Sequence, residues 1–254
     1  VIWDCFLYSG EADMLECRLT EMDPLDCKFI IAESDITFQG TPKPLSFIDD
    51  QRRFAPWLDR IIYLVAALPE ADEIYDPWVR EYAQRNQLLE AALGCAERED
   101  LIIFGDVDEI PKGRVPFTPG TVLGMRHHQF AADWLSPVPW RGSVITSPLG
   151  LKPEYGRWLR DRRWTWPVVP DAGWHLSWLG GMEEAKKKAH SFSHAEFTAK
   201  VCKWLDEGHC YGDGMVWDDN QELTIRQLRT IPAIADLPRW IHDRKCPESW
   251  FRWE

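Results

Sequence analysis

The sequence predicts an α/β fold: a Rossmann-like, mostly parallel central sheet flanked by helices in a single domain. Three observations lead there. The first 110 residues hold four apolar runs of strand length. Helical periodicity separates the first run from the second and the third from the fourth. The fourth run ends in a cluster of acids, where open α/β sheets bind their ligands.

Ile2 to Tyr8 reads as the first strand, and Glu11 to Met22, with Met14, Leu15, Leu19 and Met22 at helical spacing, as the first helix. Cys27 to Ala32 and Arg60 to Val65 are the next strands. Between them Ser34 to Trp57, with three prolines and the adjacent Asp49-Asp50, reads as a long surface loop. Asp76-Pro77 supplies an N-cap and a first-turn proline for a helix whose apolar face is Val79, Tyr82, Leu89, Leu93 and Ala96. Leu101-Ile102-Ile103-Phe104 is continuously apolar, as a strand covered on both faces must be.

The second half is less regular and rich in Trp and Pro. Val122 to Phe130, Ser143 to Ser147 and Trp174 to Leu179 read as strands. Gly180-Gly181 precedes a helix running through Glu183 to Lys188, and Ser193-His194-Ala195-Glu196 reads as a capping box for another. Residues 1–110, ending in the acidic cluster, and 111–254 read as two halves of the same domain.

Composition bounds the function. A formal charge of −12 over 254 residues disfavours nonspecific binding to phosphate backbones. No apolar run reaches the roughly 18 residues of a membrane span. Seven scattered cysteines without a CxxC pair predict free thiols and a reducing compartment, and with it a cytoplasmic location. Fifteen tryptophans offer flat faces for sugar rings or bases, or simply core. Ser-His-Asp, Walker, GxGxxG and Gly-x-Ser-x-Gly patterns are missing.

The sharpest motif is Asp106-x-Asp108-Glu109. Two carboxylates one residue apart, past a buried strand, can turn toward one Mg²⁺ or Mn²⁺ bridging to a diphosphate. His175 in Gly173-Trp174-His175 is a candidate third ligand, and the glycines after it would set helix amides near phosphate oxygens. Glu81 and Arg85 share a helix face, either as a surface salt bridge or with Arg85 aimed at a diphosphate and Glu81 orienting it. Glu33 is a candidate for ribose or uracil, or a loop anchor. Of Lys186-Lys187-Lys188, one side chain can reach a phosphate.

These pieces together resemble glycosyltransferase family seventeen. The matching stretches are Asp4-Cys5-Phe6 with Asp13-x-x-Glu16-x-Arg18-Leu19, Ala32-Glu33-Ser34, Gly40-x-Pro42-Lys43-Pro44-Leu45 and Trp78-x-x-Glu81-x-x-x-Arg85. They continue through Asp106-Val107-Asp108-Glu109-Ile110-Pro111, Met125-Arg126, Gly173-Trp174-His175-x-Ser177-Trp178 and Ser193-His194, in the family's order from Asp4 to Leu237-Pro238.

The resemblance implies a glycosyltransferase-A fold, a UDP-sugar donor carrying N-acetylglucosamine or another hexose, a divalent cation (Mn²⁺ or Mg²⁺) and inversion at the anomeric carbon. It casts residues 1–110, ending in the DxD motif, as the nucleotide-sugar-binding half and 111–254 as the acceptor-binding, metal-completing half, with Asp106, Asp108 and His175 as metal ligands. Glu33, Glu81, Arg85, Asp106, Asp108 and Lys188 become the donor site. An inverting displacement also needs a carboxylate base for the acceptor hydroxyl, and Glu183 and Asp213 are its candidates. Without the membrane helix of the animal enzyme, the chain looks like a compact bacterial or viral relative. Its acceptor is then a glycan or another hydroxyl, with nucleic acid only as a modified base. Two further readings stand beside this one: a metal-dependent phosphohydrolase using Asp106, Asp108 and His175, and a non-catalytic carbohydrate-binding protein using its tryptophans.

Overall fold

The computed structural model describes residues 1–70, 76–207, 213–217, 223–227, 229–230, 236–243 and 245–251. Its first half follows the apolar runs. β1 (Ile2–Leu7), α1 (Ala12–Met22), β2 (Lys28–Glu33), α2 (Ser46–Asp50), β3 (Ile61–Val65), α3 (Pro77–Cys95) and β4 (Leu101–Asp106) succeed one another. The four strands pair in parallel in the order β4-β1-β2-β3. Side chains alternate between two cores, as the period of two dictates. Phe6, Phe29, Ile31 and Ile103 pack toward α1, while Cys5, Leu7, Ile30, Ala32, Ile102 and Phe104 pack toward α3.

Two expectations for this half change. The stretch from Ser34 to Trp57 is no bare surface loop. It carries α2 and a 3-10 stretch (Gln51–Arg60) that bury Phe47, Phe54 and Trp57, with Phe47 stacked on Phe54 and Tyr63. The buried face of α3 is also rotated from the apolar one. Asp76 caps the helix as expected, accepting from the Trp78 amide at 3.0 Å, but Arg80, Glu81, Gln84 and Arg85 turn inward with Leu88, Leu89 and Ala92. Main-chain oxygens outbid the apolar stripe there: Arg80 binds the carbonyls of Pro69, Phe38 and Glu70, and Gln84 that of Ala32.

The second half adds β5 (Glu109–Pro111), β6 (Thr121–Gln129), β7 (Trp134–Leu135), β8 (Trp140–Thr146), α4 (Gly156–Asp161), β9 (Val168–Ser177), α5 (Met182–Ala189) and α6 (Thr198–Asp206). β10 (Asp213–Trp217) and β11 (Leu223–Gln227) form a hairpin, followed by β12 (Arg229–Thr230) and α7 (Arg239–His242). Among the described residues ten strands make one sheet, on a path β12-β7-β6-β8-β4-β1-β2-β3 with β9 on β6 and β5 on β9. Beyond β4 the pairing is antiparallel except for β6 with β9, so the sheet is mixed rather than mostly parallel. The reason is local: no helix lies between β4 and β8 to make a parallel crossover.

The capping box foreseen at Ser193 does not form. Thr198, not Ala195, opens α6, and the Ser193 hydroxyl donates to Glu81 instead. Cys5, Cys17, Cys27, Cys95, Cys202 and Cys246 are free thiols, and Cys210 lies outside the described residues. No described helix is long and apolar enough to cross a membrane.

Candidate active site

The chain runs β1 to β2 to β3, then returns over the sheet through α3 to place β4 on the other side of β1. That reversal opens a crevice at the carboxyl ends of β1 and β4, where Leu7 pairs with Asp106. A cavity of about 990 Å³ occupies it, bordered by Leu7, Tyr8 and Ser9 at the end of β1, Ser34 and Ile36 to Phe38 after β2 and Asp106 to Asp108 at the end of β4. The volume is at the upper end for a ligand site, enough for two substrates together.

The acidic turn is held from behind. Arg18 of α1, fully buried, grips both oxygens of buried Asp4 at 2.6 and 2.9 Å. Its remaining N–H groups reach the carbonyls of Asp106 (2.7 Å) and Glu109 (2.6 Å), which fixes the backbone of the turn. Glu109 points inward, accepting from Trp140, Ser143 and both Nη atoms of Arg160. The close fit requires glycine at 105, where a Cβ would lie 2.0 Å from Ser143 Oγ.

Asp106 and Asp108 have different surroundings. Asp106 Oδ1 accepts from Arg85 at 2.9 Å and Oδ2 from Arg160 at 2.5 Å. Burial opposes its ionisation, but the two guanidiniums prevail and hold its carboxyl at about 2. Asp108 meets a single ammonium, Lys188, at 2.7 Å, and His175 Nε2 at 3.5 Å, both on Oδ2. Those charges, too, outweigh burial and hold it well below the usual carboxylate range. Its Oδ1 carries no hydrogen bond among the described residues.

Strand register brings His175 there. Within β9 it pairs with Glu109 of β5 and His127 of β6, and the Leu176 amide donates to the Asp108 carbonyl. The His175 ring stacks on Trp140 and His127, and its Nδ1 is buried without a partner among the described residues. Burial, then the neighbouring His175, push His127 well below its ordinary pKa.

Sequence reasoning therefore brings Glu81, Arg85, Asp106, Asp108, His175 and Lys188 to one cavity wall. Glu81 orients Arg85 through its Nε at 2.8 Å, leaving Arg85 Nη1 buried and unpaired among the described residues. Of the three lysines only Lys188 turns in; Lys186 and Lys187 pair outward with Asp206 and Glu184.

Three expectations land elsewhere. Glu33 sits behind the wall, fully buried, its oxygens taken by Lys43, Tyr63 and the amides of Ser46 and Phe47: it anchors the loop. Glu183 lies exposed on the outer side of α5, away from the cavity. The α5 amides and Gly180-Gly181 do not border the cavity either, because α5 presents its C-terminal end to it. Asp213 begins β10, but its side chain lies outside the described residues.

Sequence reasoning missed Arg160, Arg163 and Glu11. The arginines have a signal: four fall within residues 157–163 of a Trp-flanked stretch, with Arg160 and Arg163 one turn apart. Arg160 arrives because Gly156 lets α4 touch the α3 backbone, where a Cβ would lie 2.6 Å from the Arg85 carbonyl carbon. Glu11 lines the cavity beside Ser9, whose amide it accepts at 2.8 Å.

The wall carries six Lys/Arg against six Asp/Glu, so it offers a bound anion no net positive charge. No three His, Cys, Asp or Glu side chains converge into a ready cage among the described residues. Mg²⁺ and Mn²⁺ seldom need one, because one or two protein ligands suffice when substrate phosphates complete the shell. Asp108, with its unbonded Oδ1, and His175 fit that role. Asp106, with both oxygens committed to arginines, does not.

No individually curated protein matches the chain in sequence. The description of glycosyltransferase family 17 matches residues 1–210, which takes in every element of the cavity described above and stops short of Asp213. That match covers most of the chain: it belongs to glycosyltransferase family 17 and is a glycosyltransferase.

Proposed function

We propose that the crevice takes a UDP-sugar with a divalent cation (Mn²⁺ or Mg²⁺), on a glycosyltransferase-A type scaffold, and transfers the sugar with inversion to an acceptor hydroxyl, most simply that of a glycan. One observation carries this reading: Asp108 opens onto a large cavity at the topological switch point with one oxygen unbonded and His175 beside it. The neutral wall is the supporting argument, since a diphosphate arriving there meets no net positive charge from the side chains.

Asp108 and His175 would hold the cation. The chemistry it supplies when bound is neutralisation of charge on the departing diphosphate. Arg85, oriented by Glu81, offers its unpaired Nη1 to a phosphate oxygen. Lys188 balances Asp108 before the donor arrives. Asp106 positions Arg85 and Arg160 and does not itself ligate.

The acceptor proton goes to Glu11. Among the described residues it is the cavity carboxylate without an ion pair, which leaves it open to a proton. Neither Glu183, off the wall, nor Asp213 is needed for that step.

A thermal-shift panel tests the reading. UDP should raise the melting temperature much more with Mn²⁺ than without, and Asp108→Ala should erase the difference while the ligand-free protein stays folded. Equal shifts in wild type and variant would sink the metal assignment. Glu11→Gln should keep UDP binding and lose roughly a hundredfold or more in turnover; unchanged turnover would remove Glu11 from the chemistry.

A further inference from the structure

Arg163, like Arg141, is a guanidinium on the cavity wall that this arrangement does not use. Arg85 spends Nε and Nη2 on Glu81 and Asp106 and keeps Nη1 for the donor, while Arg160 spends its Nη atoms on Glu109 and Asp106. Arg163 has no carboxylate: its Nε and Nη1 are buried without a hydrogen bond, and no ion pair reaches it among the described residues. Its carbonyl, by contrast, is fixed by Arg141 at 2.9 Å.

What holds the side chain is aromatic. Its Cζ lies 5.0 Å from the Trp140 ring and 4.8 Å from that of Trp164. Trp140 is locked to Glu109 through its indole N–H and stacked on His175, while Trp164 is 55% exposed at the cavity. Cation–π contacts of this kind fix a guanidinium without consuming its donors. Burial, and then the like charge of Arg160, push the Arg163 pKa down to about 9, which leaves it cationic at neutral pH but poorly compensated. Unspent donors of this sort, on a guanidinium lining the cavity, suit a phosphate oxygen.

We propose that Arg163, packed against Trp140 and Trp164, is an oxyanion-binding residue that takes a phosphate of the sugar-nucleotide donor. The assignment rests on the donor reading above. It deepens that reading by giving the diphosphate a cationic contact independent of the cation at Asp108. An acidic group on the acceptor shares the same chemistry, so the test separates the two sources.

Binding of UDP, uridine and inorganic pyrophosphate is measured by calorimetry in the presence of Mn²⁺, for wild type, Arg163→Met and Arg163→Lys. Met keeps the stem against the indoles, and ligand-free melting temperatures check that each variant folds. We expect Arg163→Met to weaken UDP and pyrophosphate about tenfold or more, leave uridine unchanged, and be partly rescued by Lys. If UDP and pyrophosphate bind Arg163→Met as they bind wild type, the proposal is wrong, and a raised KM for acidic acceptors alone would assign Arg163 to the acceptor. Wild type that binds pyrophosphate but not UDP, with the loss in Arg163→Met, would leave Arg163 standing and overturn the donor reading. Binding of neither overturns both.

Discussion

The two ends of the acidic turn face opposite demands. Asp106 is clamped between Arg85 and Arg160, whose side chains are 4% and 9% exposed. Asp108, two residues on, is met by Lys188, whose side chain is 33% exposed and can return to water. A motif that reads in sequence as two equal ligands is divided in space. The first carboxylate organises the arginines, and the second faces the ligand. The division follows from strand geometry, because alternate residues beyond a strand end need not share an environment once the turn between them is pinned by Arg18.

The comparison breaks most visibly under truncation. Asp106→Ala leaves two buried guanidiniums without their shared carboxylate, and breaking a buried pair in this way costs about 3–5 kcal/mol. In a chain of this size that is a fall in melting temperature of about 6–20 °C. Asp108→Ala frees a lysine that can rehydrate, and should cost about 1 kcal/mol or less. The ligand-coupled shift with Mn²⁺ reverses the order, being lost in Asp108→Ala. Equal stability losses in the two variants, measured by denaturant unfolding, would mean that the two ends of the turn are equivalent after all.

How much of this was legible in the sequence differs between the parts. The strands of the first half show directly, because each apolar run is short and bounded by polar turns. The meeting of Asp108, His175, Arg85 and Lys188 was also legible, carried by motif identity and the family pattern. Arg160 and Arg163 were not. They sit in and just after a six-residue helix whose place depends on Gly156 touching Arg85 and Asn86, some seventy residues away, and no local period encodes that contact. Glu33 was open to misreading because a carboxylate at a strand end can point either way. The amides of Ser46 and Phe47 decide it, and they too come from a distant helix. Glu183 could have been set aside from the sequence: it lies five residues, about 140° around the helix, from Lys188, so both cannot face one cavity.

Acid titration sharpens the same comparison with a smaller effect. Asp106 has an ordinary carboxyl value of 3.8 and is held at about 2 in the folded chain. Between those values the unfolded chain binds more protons than the folded one, so stability rises with pH across that window. The contribution is fully present above about pH 4 and is lost as pH falls through about 2, amounting to about 2 kcal/mol at most for one group. Asp106→Asn should therefore start less stable at neutral pH and show a shallower decline between about pH 4 and 2, measured by urea unfolding at successive pH values. Asp108 contributes with the same sign, but its pairing with a lysine one third exposed is screened by salt far more than the buried arginine clamp. Repeating the titration in high salt should leave most of the Asp106 difference and remove most of any Asp108 difference. A difference at Asp106 that vanished with salt would place that carboxylate in solvent, and the clamp on it would not exist as described.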